Sequence, residues 1–211
     1  MSAPRVKLLI ATANAGKVRE FRQMLGDDRF EWSDLSDYPK ISAVEETGKT
    51  FRENADLKAA YYATHLGVWA LADDSGLEVD ALNGSPGVLS ARWAQINHAG
   101  NGDADNNSLL IEQLREVPDE KRTARFVCAL SLSDARGQIV LRTQDAVQGR
   151  IIHQLRGSNG FGYDPLFLIE HLGKTTAELD SQAKHQISHR GKALRAMRKL
   201  MQCLPSVGRE S

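Results

Sequence analysis

An α/β fold is what this sequence predicts, and three stretches predict it. Val6-Lys7-Leu8-Leu9-Ile10-Ala11 is mostly apolar, the pattern of a strand central in a sheet. A small-residue turn follows it, after which Val18, Phe21, Met24 and Leu25 recur at helical spacing. Much later, Ala124, Phe126, Cys128, Leu130 and Leu132 alternate with Arg125, Val127, Ala129, Ser131 and Ser133, as one face of a strand does. The chain has 211 residues, which suits one large α/β domain or two small lobes.

Composition narrows the function classes. Hydrophobic residues make up 41% and charged residues 26%, as in ordinary globular proteins. Lys plus Arg and Asp plus Glu stand at 27 each, for a formal net charge of zero. Bulk charge therefore predicts no nucleic-acid or membrane partner. The two cysteines, Cys128 and Cys203, are far apart and have no metal-ligand spacing. Cys128 falls in a strand pattern and is expected to be a buried small hydrophobe. No signal peptide and no stretch of membrane-span length is visible, so a cytoplasmic location is expected.

The remaining elements follow in order. Arg29 to Ile41 reads as a short strand and loop. Thr50 and Glu53 have capping-box spacing ahead of an apolar stripe of Phe51, Ala55, Ala59, Tyr62 and Leu66, which Gly67 ends. Val68 to Ala72 reads as a short buried strand ending in Asp73-Asp74-Ser75-Gly76. Leu77, Val79 and Ala81 then alternate up to an Asn83-Gly84 turn. Gln95 to Asp105 reads as a loop, with Asp105 capping a helix through Leu109, Leu110 and Leu114. Asp134-Ala135-Arg136-Gly137 turns the alternating strand back into Ile139 to Val147, an antiparallel hairpin expected in a second lobe. Leu166 to Ile169 resumes a strand. Ser188 is a candidate N-cap for a last helix carrying Leu194, Met197, Met201 and Leu204, and Pro205 to Ser211 is expected to be disordered.

Chemistry concentrates in five stretches. Asp73 and Asp74 follow a hydrophobic strand, where two carboxylates are costly without a compensating charge. They either cap a turn or hold a hard cation such as Mg²⁺, which takes one or two carboxylates plus waters and phosphates. Adjacent strand residues face opposite sides, so one of the two faces a ligand, and periodicity does not say which. Glu45 and Glu46 form a second acidic pair, either complementing the dipole of the following helix or adding a carboxylate to the same metal. Thr12-Ala13-Asn14-Ala15-Gly16-Lys17 aims a helix N-terminus and a cation outward, an arrangement that receives anions. It is not a Walker A loop: the position five residues before Gly16 holds Ala11, and the other Gly-Lys pairs also lack the required glycine. Gly157 to Pro165 interleaves glycines with Phe161 and Tyr163, which suits either base stacking or a tight packed loop. Lys184, His185, Ser188, His189 and Arg190 gather ahead of the last helix, where cations are locally unfavourable and an anionic or carbonyl-bearing ligand would compensate them.

Together these motifs resemble the inosine triphosphate pyrophosphatase family, whose members hydrolyse non-standard purine nucleoside triphosphates. The resemblance rests on Ala11 to Lys17, Glu45 to Gly48, Ala72 to Leu77, Ser85-Pro86-Gly87 with Ser90-Ala91-Arg92, Gly160 to Pro165, and Ser188 to Gly191. These occur in the family's order and span nearly the whole chain. Ala13 is a departure, because the family usually has glycine there. The resemblance implies one α/β domain over residues 1–211, with an elongated central mixed β-sheet, flanking helices, two lobes and a cleft between them. It implies a homodimer, Mg²⁺ dependence and release of a nucleoside monophosphate and pyrophosphate. It places Thr12, Ala13, Asn14, Ala15, Gly16 and Lys17 on the triphosphate, Glu45 and Asp74 at the metal, and Asp74 as proton acceptor. Ser75 is implied to touch substrate, and Phe161, Gly162, Tyr163, Asp164, Lys184, His189 and Arg190 to hold the base and its surroundings.

The residues fit that chemistry on their own terms. A triphosphate needs Lys17, backbone amides and a cation to neutralise it, and a carboxylate near the attacking water can take its proton. Two other readings compete: a pyrophosphatase for another modified nucleotide, and a nucleotide-binding sensor without turnover. The acidic pairs argue against the sensor, because binding a polyanion alone gives no reason to place carboxylates beside it.

Overall fold

The structure is a computed structural model that describes residues 5–25 and 30–204. The expected disorder of Pro205 to Ser211, and Arg29 at the start of the expected second strand, lie outside the described residues. Seven strands form one sheet: β1 (Val6–Ile10), β2 (Phe30–Asp34), β3 (Trp69–Val79), β4 (Thr123–Ser133), β5 (Ile139–Ile151), β6 (Phe167–Ile169) and β7 (Lys174–Thr175). Their order is β2-β1-β3-β4-β5-β6-β7. β1 runs parallel to β2 and β3, while β5-β6-β7 are antiparallel. The mixed sheet implied by the resemblance is therefore present. The helices are α1 (Ala15–Leu25), α2 (Phe51–Leu66), α3 (Trp93–Ile96), α4 (Asp103–Gln113), α5 (Ser181–Ile187) and α6 (His189–Gln202).

The chain divides into two compact units. The first comprises Met1–Asp74, Ala129–Gln144 and Ala193–Ser211; the second comprises Ser75–Cys128 and Asp145–Lys192. Each has its own core. In the first, Leu9, Ala11, Ala70 and Ala72 from the parallel strands pack against Ala59, Tyr62 and Ala63 of α2. In the second, Leu77, Val79, Phe126, Val147 and Phe167 pack with Leu110 and Leu114.

Local sequence accounts for the elements that frame the chemistry. Thr50 Oγ1 accepts from the Glu53 amide at 3.2 Å, and Glu53 Oε2 accepts from the Thr50 amide at 3.2 Å, the expected capping box. Gly67 ends α2 at φ 63°, a left-handed conformation that glycine adopts without a side-chain penalty. Ser188 caps α6 as expected, its Oγ accepting from the Gly191 amide at 3.0 Å. Gly191 itself is fixed by close approach, since a Cβ there would lie 1.9 Å from the His185 carbonyl oxygen.

Three expectations need correcting. The strand does not end at Asp73: β3 continues through both acids to Val79. Leu77 and Val79 are fully buried beyond the acids, so continuing the strand adds core instead of exposing it. The hairpin does not belong wholly to a second lobe. Its strands are neighbours in the sheet joined by a turn in which Asp134 accepts from the amides of Arg136 and Gln138, each at 2.9 Å, but residues 129–144 cluster with the first unit. Finally, α4 begins at Asp103, before Asp105, and Asp105 accepts from the Asn101 amide ahead of the helix at 2.6 Å.

Candidate active site

Residues of the first unit gather around the two acids of β3. β1 pairs with β3 through Ile10 and Leu71, and the Ala11 amide donates to the Leu71 carbonyl at 2.8 Å. The loop after β1 therefore leaves the sheet beside Asp73. Asn14 caps α1, its Oδ1 accepting from the Lys17 amide at 3.0 Å, while Thr12 Oγ1 accepts from the Asn14 amide at 3.2 Å. Ala13 lies in the loop, and Ala15 and Gly16 are the first two residues of α1. Lys17 Nζ donates to Asp73 Oδ1, so the lysine expected on phosphate meets a buried carboxylate here.

Asp74 faces the other way, as the strand alternation requires. Lys58 Nζ donates to its Oδ1 at 2.7 Å and to Glu46 Oε1 at 2.7 Å. Asn54 Nδ2 donates to Asp74 Oδ2 at 3.2 Å, and Asn54 Oδ1 accepts from the Gly48 amide at 2.7 Å. Asn54 thus ties the turn after the second acidic pair to Asp74. Burial pushes the Asp74 carboxyl above the ordinary aspartate value, outweighing the pull of Lys58 and Lys17. Burial acts to lower Lys58, but the charges of Asp74 and Glu46 hold it above the ordinary lysine value. A buried carboxylate of raised basicity suits a proton acceptor. Glu45, by contrast, is exposed; of the acidic pair, Glu46 is the one that meets Lys58.

In the second unit, Arg190 Nη2 donates to Ser75 Oγ at 2.6 Å, and Ser75 follows Asp74 directly along β3. Lys184 Nζ donates to Asp164 Oδ2 at 2.6 Å, and Asp164 also accepts from the Phe161 amide and the Thr176 hydroxyl at 2.9 and 2.8 Å. Both members of this ion pair are buried. Lys184 Nζ and Arg190 Cζ lie 5.0 and 5.6 Å from the Phe161 ring centroid, within cation–π range. His189 stacks on Phe126 with centroids 4.8 Å apart and planes 14° off parallel.

The loop from Gly160 to Asp164 separates into distinct roles. Phe161 stays partly exposed. Tyr163 is in the core, with its hydroxyl donating to the Ser90 carbonyl at 2.9 Å, so its ring packs instead of offering a stacking face. Burial, aided by the charge of Asp103, pushes its phenol far above the ordinary value, which keeps it a neutral donor. Gly162 is held through its own backbone by Asp103 and Asn107 of α4.

Sequence reasoning missed Asn54 and Lys58. Both lie on the buried face of α2, three and seven residues after Phe51, among Ala55, Ala59 and Tyr62. Polar residues at core-periodic positions were the available signal, because a buried amide or ammonium requires a partner.

Known proteins resemble this chain over nearly its whole length. The profile of the Ham1 family matches residues 8–200. A dITP/XTP pyrophosphatase of Exiguobacterium sibiricum is 50% identical over 91% of this chain and 95% of its own length. One from Listeria monocytogenes is 47% identical over 92% of this chain and 93% of its own length. Among solved structures, a Ham1 protein from Coxiella burnetii superposes with a TM-score of 0.83 at 37% identity, covering 93% of this chain and 98% of its own. A dITP/XTP pyrophosphatase from Mycobacterium abscessus gives 0.73 at 43% identity, covering 90% and 98%.

Proposed function

This chain belongs to the Ham1 family, and from that premise we infer that it hydrolyses non-standard purine nucleoside triphosphates, ITP, dITP and XTP, to the nucleoside monophosphate and pyrophosphate. Such an enzyme keeps deaminated purines out of DNA and RNA. The observation that carries the reading onto this chain's own residues is Asp74, a buried carboxylate of raised basicity, hydrogen-bonded by Lys58 and Asn54. In this reading Asp74 accepts the proton of the attacking water. Lys17, Lys58 and the start of α1 neutralise phosphate charge. The donors of Arg190, His189 and Lys184 surround the base, and Phe161 supplies its apolar face.

Mg²⁺ belongs to the proposal. The donor set fits it: the carboxylate of Asp74 and those of the Glu45-Glu46 pair are hard oxygen ligands. A cation that takes one or two carboxylates and completes its shell with water and phosphate matches that set. Asp74 and Glu45 would hold it; Glu46, already beside Lys58, is the neighbouring carboxylate to compare. When bound, Mg²⁺ supplies neutralisation of phosphate charge and polarisation of the attacked phosphorus.

A homodimer acting on the cytoplasmic nucleotide pool completes the reading. It is supported by the family resemblance; among the described residues, no helix is long and apolar enough to cross a membrane. Pyrophosphate release from ITP, measured with and without Mg²⁺, tests the reaction. Release only with Mg²⁺ is expected, and nucleotide binding without release would favour a sensor.

A further inference from the structure

Gly162 follows Phe161 in the base loop with a left-handed backbone, at φ +62°, and helix α4 holds it. Its amide donates to Asp103 Oδ2 at 2.7 Å, and its carbonyl accepts from Asn107 Nδ2 at 2.9 Å. Asp103 and Asn107 stand four residues apart and so share one face of α4. The helix is a fixed platform. Leu110 is fully buried, and Asn106 ties the helix to α3, its Oδ1 accepting from the Ala94 amide at 2.7 Å. On the other side of Phe161, its own amide is held by Asp164. Phe161 therefore sits between one peptide pinned by α4 and one amide pinned by the Asp164–Lys184 pair.

Asn107 is an uneconomical choice for stability alone. It is 5% exposed, and its Oδ1 is buried without a hydrogen-bond partner among the described residues. The Gly162 carbonyl fixes which end of the amide is which, since only Nδ2 can donate to it. A buried side-chain amide at this position is costly unless it is hydrogen-bonded, and the bond that the structure gives it is the one to Gly162.

We propose that Asn107 and Asp103 are positioning residues for base discrimination, holding the Gly162 peptide so that Phe161 presents the base to Lys184 and Arg190. This rests on the base-reading role proposed above for that loop. Small misplacements at such a site are amplified in rate and affinity. Asn107 is buried and Asp103 exposed, so Asn107 carries the larger share.

The test compares Asn107→Ala, Asp103→Ala and Asp103→Asn with the wild type for kcat and KM on ITP and ATP, alongside Tm. Asn107→Ala is expected to lower the ITP-to-ATP ratio of kcat/KM by about tenfold, chiefly through a higher KM for ITP, with Tm close to wild type. Asp103→Ala is expected to shift the ratio the same way by less, and Asp103→Asn, which keeps an acceptor for the Gly162 amide, to restore it. A ratio that stays constant in both alanine variants overturns the proposal, as does Asp103→Asn behaving like Asp103→Ala. Should Asn107→Ala fail to fold, the two Asp103 variants decide. A wild type with no preference for ITP overturns the base-reading role and this inference with it; a wild-type preference that the variants retain overturns this inference alone.

Discussion

Lys58 Nζ lies 2.7 Å from Asp74 Oδ1, and the two side chains are only 10% and 8% exposed. The pair joins α2 to the middle of β3, sixteen residues apart in sequence. Charges buried this deeply are tolerated because each compensates the other and because Asn54 and Glu46 take up further hydrogen bonds.

Removing one partner of such a pair costs about 3–5 kcal/mol, whereas replacing both by apolar groups can be neutral. Lys58→Met is therefore expected to lose stability of that order in urea unfolding and to lose most turnover. The double variant Lys58→Met with Asp74→Leu should be more stable than Lys58→Met alone, though inactive. Equal stability of Lys58→Met and wild type would show that the pair contributes little.

Asp74→Asn keeps the shape of the side chain and leaves Glu46 beside Lys58. It is expected to fold with little change in Tm, because ionised Asp74 is held against a burial penalty. Its turnover should fall by roughly 10²–10⁴-fold from loss of the base alone, and further if the residue also holds Mg²⁺. Steady-state rates near the wild-type value would remove Asp74 from the chemistry.

How much of this was legible in the sequence differs element by element. The Thr50–Glu53 capping box, the stop at Gly67 and the alternation from Ala124 to Ser133 were readable because they depend on near neighbours. The Asp73-Asp74 pair stands out in the sequence, but as the end of a strand, because its compensation is not local. Lys17 lies 56 residues away in sequence and Lys58 sixteen, and only with both cations in place can a strand carry two acids through a core. In the sequence Tyr163 and Phe161 look alike because both are aromatic. What separates them is a hydrogen bond to the Ser90 carbonyl, 73 residues distant, which no spacing rule reveals.

Arg190 donates to Ser75 and lies over Phe161, so it links β3 to the base loop within the second unit. Arginine has only donors, which match a 6-oxo purine and oppose the 6-amino group of adenine. Arg190→Ala is expected to narrow the ITP-to-ATP gap in kcat/KM mainly by slowing ITP. Ser75→Ala, which removes the acceptor that orients the guanidinium, should act in the same direction by less. A fall in ITP and ATP rates by one common factor would mean that Arg190 does not read the base.

Whether this chain removes deaminated purine triphosphates is read from a substrate panel. Pyrophosphate release with Mg²⁺ is measured for ITP, dITP, XTP and the four standard ribonucleoside triphosphates, and kcat/KM is compared. A buried donor facing a donor costs about 1–3 kcal/mol and more beside a charge, so ATP should fall lowest. GTP, which shares the 6-oxo group, should lie between ATP and the preferred ITP and XTP. An ATP value within about tenfold of ITP, a difference of only ~1.4 kcal/mol, would mean that the site does not select deaminated purines.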